Sequence, residues 1–336
     1  MAQHSADQAV HEAALAGLTD RLAEMLATDP SLIDAKGMDA RTPLHCARTA
    51  AVAALLLDHG ARIDARDEDH DSTPAQWRIG DSPEVARFLL EHGAKADIFL
   101  AAAIGDVALA QRLVTEDPGC VAHRIGKLPE FPAVGHQGRG GTIYQWTLGF
   151  NSYPHQIALR KGHQPMFDFL YAASDTATRL LVNCVLARRA EAEAIAKEYP
   201  AIVPGLPDVD RELVAKYCWE TNTNYDAVKL MLDLGFPVAL PERSHGYTPL
   251  HNAAWAGSGD LVDLLITREH PVDIRDPAYD ATPLGYALYD CLVEKRHPEG
   301  EFTRVVKALL EAGSPLEGVK YPTGDAALDA VLHTYL

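Results

Sequence analysis

The segment that determines the fold of this chain is His245–Asp276, which reads H-G-Y-T-P-L-H-N-A-A-W-A-G-S-G-D-L-V-D-L-L-I-T-R-E-H-P-V-D-I-R-D. In this pattern a Thr248 hydroxyl can cap the start of a helix, Pro249 suits the first helical position, and His251 can hydrogen-bond back to the turn. Small residues and Gly257 end this short helix. An apolar stripe follows at helical spacing and consists of Leu261, Val262, Leu264 and Leu265. The stretch therefore predicts two short helices joined by a tight turn.

The same pattern recurs along the chain. Residues 248–253 read T-P-L-H-N-A and residues 42–47 read T-P-L-H-C-A. Weaker copies read T-P-A-Q-W at 73–77, Y-P-H-Q-I-A at 153–158 and T-P-L-G-Y-A at 282–287. These motifs match the T-P-L-H-x-A signature of the ankyrin repeat, whose period is about 33 residues. The chain therefore resembles an ankyrin repeat protein of the bacterial type, with degenerate repeats and one long insertion.

The resemblance implies an all-α fold, an ankyrin repeat solenoid of stacked helix-turn-helix units with β-turn fingers. We expect a single domain over residues 1–336. Its expected parts are an N-terminal cap unit at 8–41, repeats at 42–123, a loop insertion at 124–150, repeats at 151–313 and a C-terminal cap at 314–336. In the last repeat, the interval from Thr282 to Gly313 predicts roughly ten extra residues between its two helices, near Leu292–Gly300.

The 124–150 insertion is the largest departure from the repeat pattern. It is rich in glycine and proline, which excludes a long helix, and it carries Phe131, Tyr144, Trp146 and Phe150. A long insertion in a repeat array maps to a loop on one face, often the face that binds a partner. The sequence leaves open whether this loop covers a pocket or projects into solvent.

Composition excludes several classes of function. The formal charge of −17 argues against nucleic acid and against an anionic membrane surface, since both need clustered Lys and Arg. No apolar run reaches the ~18 residues of a membrane-spanning helix, and no signal peptide is visible at the N-terminus. The five cysteines form no C-x-x-C pair and are odd in number. They are typical of core residues in a reducing compartment, so we expect a cytoplasmic protein.

Candidate binding residues follow from the resemblance. In ankyrin proteins, partners bind on the concave side, which is lined by the fingers before each T-P and by the first helix of each repeat. All four tryptophans of the chain fall at or near such positions or in the insertion, and aromatic and Arg side chains are the usual hot-spot types. The candidates are Gln76, Trp77, Arg78, Tyr144, Gln145, Trp146, His155, Trp219, Glu220, Arg243, His245, Trp255, Tyr279 and Tyr286.

Other motifs favour structural roles. His45 and His251 are signature histidines of the repeat, so we expect them to stabilise a turn and not to bind metal. The acidic run from Asp67 to Asp71 resembles a calcium loop, but Ser72 and Arg78 occupy the positions where an EF-hand needs Gly and Glu. A solvated finger is the expected structure there. We expect no metal site and no cofactor.

Two functional hypotheses remain open. The first is a binding module without catalysis that holds a protein or peptide on its concave face and on the 124–150 insertion. The second is a small-molecule or saccharide binding protein or enzyme, with an aromatic-lined pocket under that insertion. Catalysis would need a carboxylate or a histidine in a closed pocket, and the candidates are Glu130, His136, His155 and Glu220.

Overall fold

The computed structural model describes residues 2–134, 138–219 and 221–336. Regular structure over those ranges is helical, and the β-type pairing found there is a single bridge between Gly126 and Pro132. Within the same ranges, no helix is long and apolar enough to cross a membrane. The chain divides into two compact units, residues 1–174 and 175–336.

The first unit consists of short helices paired into hairpins. Its α-helices are α1 (Ala2–Leu15), α2 (Thr19–Thr28), α3 (Pro43–Cys46), α4 (Ala50–Asp58), α5 (Pro74–Arg78), α6 (Pro83–Glu91), α7 (Ile98–Ile104), α8 (Val107–Glu116), α9 (Tyr144–Thr147), α10 (Pro154–Arg160) and α11 (Gln164–Ala173). Three 3₁₀ segments supplement them, at Pro30–Asp34, Met38–Ala40 and Pro118–Ala122. The first helices stack on one another, α3 on α5 and α7 on α10, and the second helices do the same, α4 on α6.

The second unit repeats this arrangement. Its α-helices are α12 (Thr176–Val185), α13 (Arg189–Glu198), α14 (Ile202–Gly205), α15 (Asp208–Arg211), α16 (Leu213–Tyr217), α17 (Tyr225–Asp233), α18 (Pro249–Trp255), α19 (Gly259–Thr267), α20 (Pro283–Tyr289), α21 (Phe302–Glu311) and α22 (Ala326–Leu332). First helix α18 packs on α16 and α20, and second helix α19 packs on α17 and α21. The core between them is apolar and fully buried, as at Leu250, Val262 and Val305. Each hairpin buries its apolar face against its neighbour.

The T-P-L-H motif acts as the sequence predicts. Thr42 and His45 form a capping box at the start of α3: the Thr42 N–H donates to Nδ1 of His45 at 3.0 Å. Because Nδ1 accepts this bond, the imidazole proton lies on Nε2, which donates to the Ser72 carbonyl at 3.1 Å. Thr248 and His251 make the same box, with Nε2 of His251 3.0 Å from the Ala281 carbonyl oxygen.

Glutamine replaces this histidine in two repeats and keeps the box. Gln76 accepts the Thr73 N–H at 2.9 Å, and Gln156 accepts the Tyr153 N–H at 3.0 Å. The amide oxygen therefore takes the place of Nδ1. In the last full repeat Gly285 stands at this position, so only the Thr282 hydroxyl caps the helix, at 3.3 Å from the Gly285 nitrogen.

Three fingers are fixed by a buried carboxylate that lies six residues before the motif. Asp67, Glu242 and Asp276 are each at most 3% exposed. Asp276, for example, accepts the N–H groups of Ala278, Tyr279 and Ala281 at 2.8–3.0 Å. Asp67 binds the backbone of its finger in the same way. The finger expected to be solvated is exposed at Glu68 and Asp71 but not at Asp67, because the Asp67 carboxylate accepts backbone N–H groups that would otherwise be unpaired.

The extra residues predicted in the last full repeat are present. A π-helical turn at Asp290–Glu294 follows α20 directly, and a loop then leads to α21. Asp290 is fully buried and accepts the N–H groups of Arg296 and His297 at 3.3 and 3.2 Å. This carboxylate thus holds the added loop against the repeat.

Candidate functional site

The second unit contains a cavity of about 530 Å³ whose walls are mainly aromatic. We call it the aromatic cleft. Its aromatic residues are Trp219, Tyr247, Trp255, Tyr279, Tyr286 and Tyr289. The volume lies in the range of sites that hold a small molecule or a few side chains.

Repeat geometry brings these rings together. Trp255 is the last residue of α18, and Tyr286 and Tyr289 lie one helical turn apart on α20. Tyr247 ends the finger before α18, and Tyr279 lies in the finger before α20. All of these positions belong to fingers or first helices, because side chains on stacked first helices face the same side of the unit.

The rings pack edge to face and in stacks. The Trp255 ring centroid lies 5.9 Å from Tyr286 and 6.1 Å from Tyr289. Tyr247 stacks on Trp219 with their planes 6° apart and meets Tyr286 edge-on at 5.4 Å. The cleft is therefore a continuous aromatic surface. Tyr279 extends it outward and is 74% exposed.

Few polar groups reach this surface. Asn252 lines it, but its Nδ2 already donates to the Ala215 carbonyl at 3.0 Å. Tyr286 is 9% exposed, so its phenol is largely withdrawn from solvent. At the rim, Arg296 Nε donates to Glu294 at 3.2 Å, and its guanidinium carbon lies 6.0 Å from the Trp255 ring centroid.

Two causes raise the pKa of the phenols in the cleft. The Glu294 carboxylate raises the pKa of the exposed Tyr289 phenol. Burial is the main cause that raises the pKa of Tyr247 and Tyr286, and the charge of Asp276 adds to it. The three phenols are therefore neutral at physiological pH.

A finger beside the cleft carries two of the expected residues. Arg243 and His245 are exposed there, and His245 stacks on Tyr247 with ring centroids 5.3 Å apart. Their backbone N–H groups are held by Glu212 and Glu242 at 2.9 and 2.7 Å. Burial alone would raise the pKa of Glu242, but hydrogen bonds from His245 and the charge of Lys216 hold it well below its usual range.

The first unit has a second cavity, of about 1030 Å³, beneath the 124–150 insertion. We call it the insertion cavity. Its walls include Arg66, His70, Asp71, Gln76, Lys95, Asp97, Cys120, His123, Glu130, Phe131 and Arg139. Phe131 is the one Phe, Tyr or Trp among the lining residues in the described part of the chain. The expected aromatic lining is therefore not found under the insertion, because the tryptophans it required lie elsewhere.

The insertion packs onto the repeats. Phe131 meets Phe99 of α7 edge-on, with ring centroids 4.6 Å apart. Fully buried Tyr144 donates its hydroxyl to Asp97 at 2.6 Å, and Gln76 donates to the same carboxylate at 2.9 Å. The insertion thus contributes side chains to the core of the first unit.

Close backbone contacts also hold the insertion. Gly141 adopts a left-handed φ of +77°, and a Cβ there would meet the Val134 nitrogen at 2.7 Å. Its carbonyl oxygen lies 2.7 Å from Nδ1 of His70. Gln145 is 2% exposed and donates to the Pro132 carbonyl at 2.6 Å. Residues near both ends of the loop are therefore fixed to one another and to a finger.

The remaining candidates in the first unit are divided between core and surface. Trp77 is half-buried under the guanidinium of Arg41, 4.7 Å from the ring centroid. Arg78 is 7% exposed and pairs with Asp81 at 3.3 Å. Trp146 is 61% exposed and meets Phe150 edge to face, with ring centroids 5.1 Å apart. Of these, Trp146 offers an accessible surface.

The described candidates for catalysis, His155 and Glu130, do not share a pocket. His155 is fully buried, its Nε2 lies 3.0 Å from Ser174 Oγ, and burial lowers its pKa to about 4. Glu130 is exposed on the rim of the insertion cavity. His136 and Glu220 lie outside the described residues. Among the described candidates, only Glu130 borders a cavity.

Among the aromatic and charged residues of the aromatic cleft, four escaped the sequence analysis, namely Tyr247, Tyr289, Glu294 and Arg296. Tyr247 stands directly before the T-P motif, a finger position that the resemblance already marks as ligand-facing. Tyr289 lies one turn after Tyr286 on the same helix, so helical spacing could have found it. Glu294 and Arg296 belong to the extra residues of the last repeat, for which the repeat pattern gives no register.

Comparison with protein families matches two segments of the chain. The family model described as ankyrin repeats (many copies) matches residues 220–266, and the one described as ankyrin repeat matches residues 39–68. Among solved structures, the chain is similar to the crystal structure of the human ASB11 ankyrin repeat domain. The two share 20% sequence identity over 91% of this chain and 98% of that chain, with a TM-score of 0.31. Comparison with curated protein sequences finds no match.

Proposed function

Because the chain is an ankyrin repeat protein, we propose that it holds a protein or peptide partner on the side formed by the first helices and fingers. Ankyrin repeats are in general protein–protein interaction modules. The side we propose is the concave side in this family. Within the second unit, the principal contact is the aromatic cleft, which receives side chains of an extended segment of the partner.

The aromatic cleft is the observation that supports this proposal. Trp219, Trp255 and Tyr286 are half-buried or buried on the protein yet all line one open cavity. Tyrosine and tryptophan are enriched at binding hot spots because they bury large areas with few rotatable bonds. The rings also pack on one another, which fixes them before a partner arrives and reduces the entropy lost on binding.

The 124–150 insertion supplies a further proposed contact. Trp146 is 61% exposed and Leu128 is 50% exposed, whereas Phe131 and Tyr144 of the same segment are buried. The formal charge of −17 supports a partner other than nucleic acid. The five cysteines are free, which fits the proposed cytoplasmic location, where thiols stay reduced.

Selection of peptides tests the cleft. A displayed random peptide library is selected on the full chain and counter-selected on Trp255→Ala. We expect peptides whose affinity for Trp255→Ala, measured by calorimetry, falls about 30-fold, since truncating a tryptophan hot spot removes about 2 kcal/mol or more. Tyr225→Ala is the matched control, because Tyr225 is 40% exposed on second helix α17 of the same unit.

The control should change affinity less than twofold. Peptides that bind Trp255→Ala and the wild type equally well, or a selection that yields no binding peptide, would remove the cleft as the recognition surface. Circular dichroism of each variant shows whether the fold is retained.

The insertion cavity favours a second candidate function, the binding of a small polar molecule in the first unit. Its volume of about 1030 Å³ suits such a ligand, and side chains of both charge signs surround it. Screening sugars, amino acids and nucleotides by thermal shift tests this function. A ligand of this cavity should lose its shift in Arg66→Gln and keep it in Trp255→Ala, and the reverse pattern would exclude the cavity.

A further inference from the structure

We infer that the aromatic cleft receives the alkylammonium head of a lysine side chain from the partner, an inference that rests on the proposed function. Six rings line the cavity, and the π face of each carries negative charge density. Cations within about 6 Å of such a ring centroid are attracted to it, most strongly by tryptophan. The rings thus supply a surface that suits a cation with an apolar stem.

Carboxylates strengthen this preference. Glu294 lines the cleft, and its side chain is one-third exposed, so it can approach a cation at the rim. Asp276 is buried in the finger behind Tyr279, where it accepts three backbone N–H groups. Asp280 of the same finger has a side chain that is 85% exposed. Asp280 is paired with Arg275 at 3.6 Å, so among the residues that line the cleft Glu294 is the carboxylate that a cation at the rim can reach.

Arg296 shows that the site accommodates a cation. Its guanidinium carbon lies 6.0 Å from the Trp255 centroid, while its Nε donates to Glu294 at 3.2 Å. The Arg296 side chain is 59% exposed, so a partner can reach it from solvent. A lysine from the partner would displace this guanidinium and take over both the aromatic face and the carboxylate. Arg296 therefore acts as an internal competitor.

The charged acceptor of the cleft fits an ammonium that keeps N–H donors. Glu294 lines the rim, and a carboxylate accepts hydrogen bonds from an ammonium. Asn252 is already engaged, because its Nδ2 donates to the Ala215 carbonyl at 3.0 Å.

The selected peptides test the inference. Those that depend on Trp255 are expected to contain a lysine, and replacing it with norleucine, which keeps the stem and removes the charge, should weaken binding about tenfold. Trimethyllysine at the same position should bind more weakly than lysine, because it cannot donate a hydrogen bond to the Glu294 carboxylate. Equal affinity of the norleucine and lysine peptides would overturn the inference while leaving the peptide-binding function intact.

Two variants of the protein separate charge from shape. Glu294→Gln should weaken the lysine peptide about fivefold and leave the norleucine peptide unchanged. Glu299→Gln, on the same loop but outside the cleft lining, is the matched control and should change neither. Arg296→Gln should strengthen the lysine peptide by removing the competing guanidinium. If Glu294→Gln weakens both peptides equally, the carboxylate shapes the loop and does not recognise charge.

The failures can be told apart. Binding that depends on Trp255 but is indifferent to lysine refutes the ammonium site alone. Failure to obtain any peptide dependent on Trp255 refutes the proposed function, and the inference that rests on it falls at the same time.

Discussion

Acidification from pH 7 to pH 5 is expected to lower the free energy of unfolding by about 2 kcal/mol for each of three buried histidines. These are His45, His155 and His270, each at most 3% exposed. Burial is the main cause that lowers the pKa of each from 6.5 to about 4. Below pH 6.5 the unfolded chain takes up a proton at each site, whereas the native state does not until the pH approaches 4.

The direction in which the free energy of unfolding changes with pH follows from these pKa values. Stability is full above pH 6.5 and is lost as the pH falls towards 4. Some carboxylates have lowered pKa values, such as Asp233 at about 2. The stability that they contribute is lost at lower pH, as the pH falls below the usual carboxyl range. The interval from pH 7 to pH 5 thus reports mainly on histidines. Urea unfolding followed by circular dichroism at the two pH values measures the effect.

The chain itself supplies the matched control. Gln76 and Gln156 stand where other repeats have the signature histidine, and each accepts the capping N–H. His45→Gln should therefore keep the capping box and remove one titrating group. We expect the loss of stability between pH 7 and pH 5 to shrink by about 2 kcal/mol in this variant. An unchanged pH dependence would show that His45 is not buried in the neutral form.

Phe131→Ala is expected to lower the free energy of unfolding by about 3 kcal/mol, although Phe131 lies in the 124–150 loop. Its ring is 8% exposed and packs on Phe99 at 4.6 Å and on Tyr144 at 6.0 Å. Truncation would leave a void against these two rings. The measurement is urea unfolding at neutral pH, followed by circular dichroism.

Leu128→Ala, in the same loop, is the control. Leu128 is 50% exposed, so its truncation should cost less than about 0.5 kcal/mol. If both variants lost equally little stability, the insertion would be a cover loosely attached to the repeats. A deletion of Gly126–Gly141 would remove Phe131 as well, so we expect it to destabilise the first unit and not only to abolish ligand binding.

Local features of the fold could be predicted from the sequence. The capping of α3 and α18 follows from T-P-L-H, because each bond joins residues three positions apart. Gly60 and Gly313 end their helices with φ values near +90°, as residues after a helix often do. The extra segment of the last repeat follows from the length of the interval between Thr282 and Gly313. In each case the information is contained within one repeat.

Non-local pairs could not be predicted. His70 and Gly141 are 71 positions apart, and Tyr144 and Asp97 are 47 apart. The insertion has no repeat register, so nothing in its sequence indicates which repeat it contacts. The same reason explains the cleft: the sequence found Trp219, Trp255, Tyr279 and Tyr286 but not the rim residues Glu294 and Arg296.

The carboxylates beneath the fingers bear on how quickly a complex can form. A finger whose N–H groups are already bound, as Asp276 binds those of Ala278, Tyr279 and Ala281, does not need to fold during an encounter. The association rate constant should then be limited by diffusion and orientation. Partners should differ mainly in their dissociation rate constants. Replacing Asp276 with asparagine would loosen that finger. Binding would then include a second step in which the finger becomes ordered, and association would be slower.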